Sequence, residues 1–130
     1  MQTRGRIAIS MYGCDLTIII TDKSVLKIYK NLQKKHNETH PMTHEPAGIA
    51  FSPDDDHSQY YIIFNCANDC IDIEVFTHEI DHIKNYILFH RDVHYNRSKD
   101  EVGAYLSGHI ASAVYKLMKK KGIEFNVNGK

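Results

Sequence analysis

Residues 74–92, with the sequence EVFTHEIDHIKNYILFHRD, constrain most strongly what this chain can fold into. On a helical wheel of about 100° per residue, the apolar side chains gather on one face; they are Phe76, Ile80, Ile83 and Ile87. A separate polar face carries His78 and His82, which lie about 40° apart and one turn from each other. The spacing therefore predicts a helix over about 72–90 with a core face and a distinct histidine face.

The rest of the chain alternates between β-branched runs and segments with helical spacing. RIAISMYG and LTIII predict two strands, and GIAFS and QYYIIFNC predict a hairpin around the acidic turn PDDDHS. TDKSVLKIYKNLQKKH predicts a helix capped by Thr21 or Asp22, followed by a loop that contains two prolines. A second long helix over about 98–121 ends at Gly122, and IEFNVN predicts a last edge strand. This order predicts an α+β fold with a single domain over residues 1–130.

Composition limits the classes of partner and compartment. The chain has 16 Lys and Arg against 16 Asp and Glu, so no basic excess indicates nucleic acid or an anionic membrane surface as a partner. The start, MQTRGRIAIS, lacks the apolar stretch of a signal peptide, and no run approaches the ~18 apolar residues of a membrane span. Three cysteines, an odd number, favour reduced thiols. We expect a cytoplasmic protein in which Cys66 and Cys70 are buried or lie in a loop.

The segment His78-Glu79-Ile80-Asp81-His82 is a candidate zinc site. Two imidazoles four residues apart on a helix can bind one Zn²⁺ through ring nitrogens about 2.0–2.1 Å from the metal. Glu79 lies beside them, where a carboxylate can take the proton of a water activated by zinc. A chain with nine histidines and six glutamates contains such a motif by chance with odds of about 3%, so a third ligand decides its weight. The alternative is a helix face with two solvated or hydrogen-bonded histidines.

Catalytic zinc typically takes three protein ligands, so the two histidines alone leave the site incomplete. The acidic and histidine candidates that follow the motif are Asp92, His94, Asp100 and Glu101. Glu101 lies nineteen residues after His82, in the first turn of the next predicted helix. However, Ser98-Lys99-Asp100-Glu101 also fits a capping box, in which the glutamate reaches back to the backbone at the start of the helix. We favour Glu101 as the third ligand, with Asp100 as the second choice.

The pairing of HEIDH with DEVGAY resembles the gluzincin arrangement of thermolysin-type peptidases, in which a downstream helical glutamate completes the zinc site. It is also similar to small H-E-x-x-H proteins of phages and bacterial mobile elements, over roughly residues 47–120. The resemblance implies a zincin-like fold, with a small mixed sheet, the motif helix and a second packed helix that carries the third ligand. It implies His78, His82 and Glu101 as zinc ligands. Glu79 would be the general base.

Tyr105 and His109 are candidates for the same cleft, because they lie about 40° and 80° around the second helix from Glu101. Each could donate a hydrogen bond to an oxyanion or pack behind a ligand, and packing in the core is the alternative. Tyr105 also stands where the larger gluzincins have a carboxylate that orients a ligand histidine. Zinc binding is therefore better supported than peptide hydrolysis.

Two further polar segments invite a metal interpretation. His36, His40 and His44 recur every four residues, but Pro41 interrupts any helix that would present them together. We expect an exposed, flexible loop there. The acidic turn PDDDHS lacks the alternating ligands and terminal glutamate of a calcium loop, so a solvated turn is the favoured interpretation.

The favoured function is a zinc-dependent metallopeptidase that hydrolyses peptide bonds of a peptide or protein substrate with metal-activated water. We expect QYYIIFNC to be an edge strand with which an extended substrate could pair. The alternative is a non-catalytic, zinc-stabilised protein-interaction domain of a phage or mobile element. A third interpretation has no metal and makes the motif an ordinary amphipathic helix of a binding module.

Overall fold

The computed structural model describes residues 1–93 and 100–127, which form three α-helices and six β-strands. The strands are β1 (Gln2–Ile9), β2 (Cys14–Thr21), β3 (Gly48–Phe51), β4 (Gln59–Asn65), β5 (Cys70–Asp72) and β6 (Glu124–Asn126). The helices are α1 (Val25–Lys35), α2 (Ile73–His90) and α3 (Asp100–Lys120). The predicted α+β class is confirmed. No helix in these ranges combines the length and apolar character needed to cross a bilayer.

The main sheet has four strands in the order β1-β2-β4-β3 and mixes parallel with antiparallel pairs. β1 and β2 form an antiparallel hairpin, β2 and β4 are parallel, and β3 returns antiparallel to β4. The prediction that QYYIIFNC is an edge strand is therefore wrong, because β4 lies inside the sheet. Its core, residues 60–64, is buried throughout, as expected for a strand that is covered on both faces. The free edges of this sheet are β1 and β3.

Helices cover both faces of the sheet, because alternate residues of a strand point to opposite sides. The side chains that pack with α1 are Ile19, Ile49, Phe51, Tyr61 and Ile63. Those that pack with α2 and α3 are Ile18, Ile20, Tyr60, Ile62 and Phe64. β6 pairs in parallel with β5 in a separate two-stranded sheet, next to the start of α2.

α2 agrees closely with its prediction. Asp72 is its N-cap, and the Asp72 carboxylate accepts the backbone N–H groups of Glu74 at 2.8 Å and Val75 at 3.4 Å. The four apolar residues of the predicted core face are all buried, at 7% exposure or less. Fully burying each such side chain contributes roughly 1.5–3 kcal/mol. This packing holds α2 against the sheet and leaves its histidine face outside the core.

The start of α1 differs from its prediction. The N-cap is Ser24, whose hydroxyl accepts the backbone N–H of Lys27 at 3.0 Å, in place of Thr21 or Asp22. The carboxylate of Glu45 adds a second acceptor, at 2.7 Å from the backbone nitrogen of Val25. Glu45 comes from twenty residues downstream, so local sequence could not indicate this cap.

The loop over 36–46 also differs from its prediction at one end. His36 closes α1 and is only 6% exposed. Its Nδ1 lies 2.8 Å from Oδ1 of Asp55, and its Nε2 lies 3.0 Å from the hydroxyl of Tyr61. The expectation that all three histidines of this loop are exposed is therefore wrong for His36, whereas the other two are exposed.

The burial of Cys66 and the end of α3 follow their predictions, whereas Cys70 is neither buried nor in a loop, because it begins β5. Cys14 and Cys66 are buried, Cys70 is half-buried, and all three are free thiols. α3 ends before Gly122, whose φ of 68° lies in the left-handed region that favours glycine. Ser98, which the predicted capping box requires, lies outside the described residues.

Candidate metal centre

The histidines of α2 approach each other closely. Nε2 of His78 lies 3.0 Å from Nε2 of His82, with the ring planes perpendicular. Two nitrogens bound to one tetrahedral zinc at about 2.0–2.1 Å are roughly 3.3–3.4 Å apart. The pair thus fits the spacing of two zinc ligands after a small opening of the rings. His78 is exposed and His82 is half-buried, so the pair is open to solvent on one side.

Glu79 lies next to the pair and faces the sheet edge. It is only 9% exposed, and burial raises the pKa of its carboxyl group. The neighbouring histidines and a backbone hydrogen bond from Ala50 of β3 act in the opposite direction and lower that pKa. The carboxylate is therefore held between the two histidines of α2 and the free edge of the sheet.

Gly48 allows α2 to lie this close to β3. A Cβ atom at Gly48 would come within 2.6 Å of Cγ1 of Val75 and 3.1 Å of Cγ of Glu79. Gly48 was not among the predicted site residues. A signal for it exists in the sequence, because Gly48 and Ala50 are small residues on the same face of one strand, which is typical of a close backbone approach.

Tyr86 is a second residue of the site that the sequence analysis missed. Its ring stacks on that of His82, with centroids 6.0 Å apart and planes inclined by 16°. Burial, and secondarily the charge of Glu79, raise the pKa of the Tyr86 hydroxyl. The signal was the spacing of four residues from His82, which puts neighbouring side chains on one face of a helix.

The structure does not bring Glu101 together with the histidine pair. α3 approaches α2 at Gly103, where an added Cβ would lie 3.5 Å from Cδ of Lys84 and 3.7 Å from Cδ1 of Leu88. Glu101 precedes Gly103 by two residues, so it lies about 160° around α3, and it is exposed. Lys84 and Leu88 themselves lie roughly 80–160° around α2 from the histidines.

The other candidates for the third ligand do not complete the histidine pair among the described residues either. Within residues 1–93 and 100–127, no group of three His, Cys, Asp or Glu side chains with ligand atoms within 4.8 Å of one another includes His78 and His82. Asp92 lies more than two helical turns beyond His82, after the end of α2. His94 and the side chain of Asp100 lie outside the described part of the chain.

Tyr105 and His109 lie on α3, away from the histidine pair. Both line a largely apolar groove with residues of the turn between β1 and β2, among them Met11 and Tyr12. Tyr105 is 73% exposed. The structure therefore places these two residues together with each other, but not with Glu79.

The site contains the two imidazole nitrogens of His78 and His82, the buried carboxylate of Glu79 beside them, and the edge strand β3 next to α2. The chain matches no protein-family model, and searches of curated proteins and of solved structures find no similar protein. The function of this chain must therefore be inferred from the geometry of the site itself.

Proposed function

We propose that this chain is a zinc-dependent peptidase in which His78 and His82 contribute two of the metal ligands and Glu79 is the general base. The observation that carries the proposal is the 3.0 Å approach of the two Nε2 atoms, next to a carboxylate that is 9% exposed. When bound, zinc would supply the positive charge that polarises a peptide carbonyl and acidifies water. The gluzincin resemblance of HEIDH supports the same assignment.

Glu79 would act in its ionised form. Its carboxylate would accept a proton from the attacking water and pass it to the leaving amine. The backbone hydrogen bond from Ala50 orients this carboxylate, because it restrains a side chain that is already confined by burial. Glu79 is thus the residue of this chain whose removal tests catalysis without removing a proposed metal ligand.

The substrate would be an extended peptide along β3. β3 is an edge strand, so alternate backbone N–H and C=O groups of Gly48–Phe51 face away from the sheet, and of these the N–H of Ala50 already donates to Glu79. The substrate would pair with the outward groups that remain. An extended peptide can add to such an edge through main-chain hydrogen bonds. β3 also contacts the part of α2 that carries Glu79, whereas β4, the strand expected from the sequence, has no free edge.

One observation favours the alternative of a non-catalytic, zinc-stabilised interaction domain. Glu79 already accepts the outward backbone N–H of Ala50, and satisfying an edge strand in this way is a structural role that needs no turnover. In that case zinc would only join the two histidines of α2. The two candidates share the metal and differ in what Glu79 does.

The variant Glu79→Gln distinguishes a peptidase from a non-catalytic interaction domain. We expect untagged wild type to cleave members of a peptide library, detected by mass spectrometry, and Glu79→Gln to lose roughly 10²–10⁴-fold in activity, the usual contribution of general acid–base catalysis. Elemental analysis should find similar zinc in both proteins, because neither histidine has changed.

Glu74→Gln is the matched control, since Glu74 lies on the same helix and is exposed. It should keep both zinc and activity. Zinc without cleavage in wild type would favour the interaction domain. Absence of zinc in wild type after it is supplied would exclude both functions.

A further inference from the structure

The charges of this chain are separated in space, although its formal net charge is zero. Basic side chains lie along β1 and in the two grooves beside it, and among the described residues no Asp or Glu lines either groove. At the ends of β2, Asp15 is paired with Arg6 and Asp22 with the N-terminal amine. We propose that β1 and these grooves, here called the basic edge, dock an acidic, extended segment of a partner protein that has an apolar side chain at one end.

The main chain of β1 can pair with an added strand. β1 has eight residues, and in the described part of the chain it pairs only with β2. Alternate N–H and C=O groups of β1 therefore point away from the sheet, where an extended peptide can satisfy them. The other free edge, β3, has four residues. β1 is thus the longer template for a partner segment.

The side of β1 that faces α1 is open, because α1 packs on strands β2, β3 and β4. Alternate residues of β1 on this side are all exposed, namely Gln2, Arg4, Arg6 and Ala8. The groove between β1 and α1 is lined by the basic side chains of Arg4, Lys23, Lys27 and Lys35. Every second side chain of a strand added beside β1 would point to this groove.

The opposite side of β1 has a second basic groove, formed with α3. Lys116 and Lys120 line this groove together with Gly5 and Ile7 of β1. The two lysines are exposed and lie one helical turn apart, so they project on the same side of α3. In the described ranges no carboxylate lies within 4.0 Å of either lysine. Acidic side chains on both faces of an added strand would therefore meet positive charge.

An apolar groove continues the basic edge beyond the end of β1. His109 lines both this groove and the one formed with α3. Two other lining side chains, Met11 and Tyr105, are 82% and 73% exposed. Large apolar side chains that are grouped and exposed in this way mark binding surfaces in many proteins. An apolar side chain at one end of the partner segment would cover them.

The lining of the grooves favours an acidic polypeptide over other polyanions. Proteins hold single-stranded nucleic acids with aromatic side chains on which the bases stack. Among the described residues, no Phe, Tyr or Trp lines either basic groove. A second copy of this chain is disfavoured at β1, because like charges would face each other across the new pair.

Charges on an edge strand also protect it from unwanted pairing. That role requires charges on β1 itself, as with Arg4 and Arg6. The lysines of α1 and α3 extend the positive charge over both sides of the strand, which protection of the edge does not require. They do match a strand with acidic side chains on both faces.

Amide ¹H–¹⁵N spectra of untagged protein, titrated with a synthetic peptide, test the basic edge. The probe is built from Glu and Val with Phe at one end, and it matches the eight residues of β1 in length. We expect it to shift the amide signals of Gln2–Ile9 and to leave those of Gly48–Phe51 unchanged. This result would be independent of the proposed peptidase, whose substrate pairs with β3.

Two altered peptides separate the parts of the proposal. A peptide of the same charge with two consecutive prolines at its centre should bind more weakly, because proline lacks the N–H that pairs with β1. A peptide with Ala in place of Phe should also bind more weakly, because it leaves the apolar groove open. Equal binding of the proline peptide would overturn strand addition. Equal binding of the Ala peptide would overturn the apolar anchor.

The variant Lys27→Glu/Lys116→Glu tests the two basic grooves, and both positions are exposed, so the fold should tolerate it. We expect it to weaken peptide binding roughly tenfold, since attraction is replaced by repulsion on both faces of the added strand. Lys34→Glu/Lys119→Glu is the matched control, because it changes the net charge equally and alters exposed lysines of the same helices outside the grooves. It should retain most of the binding.

Three results would contradict the proposal as a whole. The first is the absence of shifts at β1 with the acidic peptide. The second is an equal loss of binding in the control variant, which would indicate nonspecific attraction. The third is a stronger shift of the same amides by single-stranded DNA or by phosphatidylserine vesicles, since the partner would then be another class of molecule.

Discussion

One turn of helix sets the distance between His78 and His82, whereas two loops set the distances among Glu38, His40 and Asp54. The helical pair is rigid because the opposite face of α2 is buried in the core, but it has only two ligands among the described residues. The loop group brings three potential ligand side chains within 4.8 Å of one another, and it forms only when the α1–β3 loop and the β3–β4 turn have folded together. Regular structure thus provides rigidity here, and loops bring together the larger number of polar side chains.

The largest expected effect is the loss of zinc from the helical pair. We expect His82→Ala to lose the zinc bound at α2, because one imidazole cannot chelate. Elemental analysis of untagged wild type and variant, after zinc is supplied, measures the loss. Equal zinc in the two proteins would contradict a role of His82 as a ligand.

In the same zinc measurement, Glu101→Ala tests whether Glu101 is the third ligand. Because Glu101 lies on the outer side of α3, we expect this variant to retain zinc. Loss of zinc from Glu101→Ala would require the first turn of α3 to move toward α2. That result would favour the ligand set implied by the gluzincin resemblance.

The next largest expected effect is that of Gly48→Ala. The added methyl would come within 2.6 Å of Val75 Cγ1, so α2 must shift away from β3. We expect a loss of about 1–3 kcal/mol in the free energy of unfolding, the usual cost of overpacking, measured by urea denaturation. Activity should fall as well, because Glu79 moves with the helix. Gly108→Ala is the control, since an added Cβ at Gly108 meets nothing within 4 Å. Equal stability of both variants would contradict the close approach.

The smallest effect concerns the other end of the α1–β3 loop. Partial burial raises the pKa of Glu45, but hydrogen bonds from Ser24 and from the backbone of Leu26 and Val25 outweigh it and hold the pKa below its usual value. Glu45→Ala should cost about 1 kcal/mol at neutral pH, as loss of a helix cap does.

The stabilisation by Glu45 depends on pH with a defined sign. Its pKa is lower in the folded state, so its contribution is present above the unfolded value and is lost as the pH falls through the folded value. The stability difference between wild type and Glu45→Ala, followed by thermal melts, should therefore shrink in acid. Glu124→Ala, at an exposed position of β6, is the control for the general effect of removing one glutamate.

Local patterns predicted the elements of this chain well. The period of Phe76, Ile80, Ile83 and Ile87 predicted a helix over 72–90, and α2 spans Ile73–His90 with Asp72 as its cap. The spacing of His78 and His82 predicted their contact for the same reason, since one turn of helix is the same in any fold. Prediction was weaker where partners are distant in sequence. The sequence predicts β4 as an edge strand, and this prediction is wrong because its neighbours β2 and β3 can be identified only in the sheet.

The sequence by itself determined the histidine pair, the core face of α2 and the α+β order of elements, because each depends on residues a few positions apart. Tertiary structure decided which way α3 turns Glu101, which strand has a free edge beside Glu79, and that His36 is buried. It also brought Asp54 to Glu38 and His40, which lie in segments that look like solvated loops when considered separately. Those features depend on how the sheet is ordered and how helices pack on it, and side-chain burial over many residues sets that order.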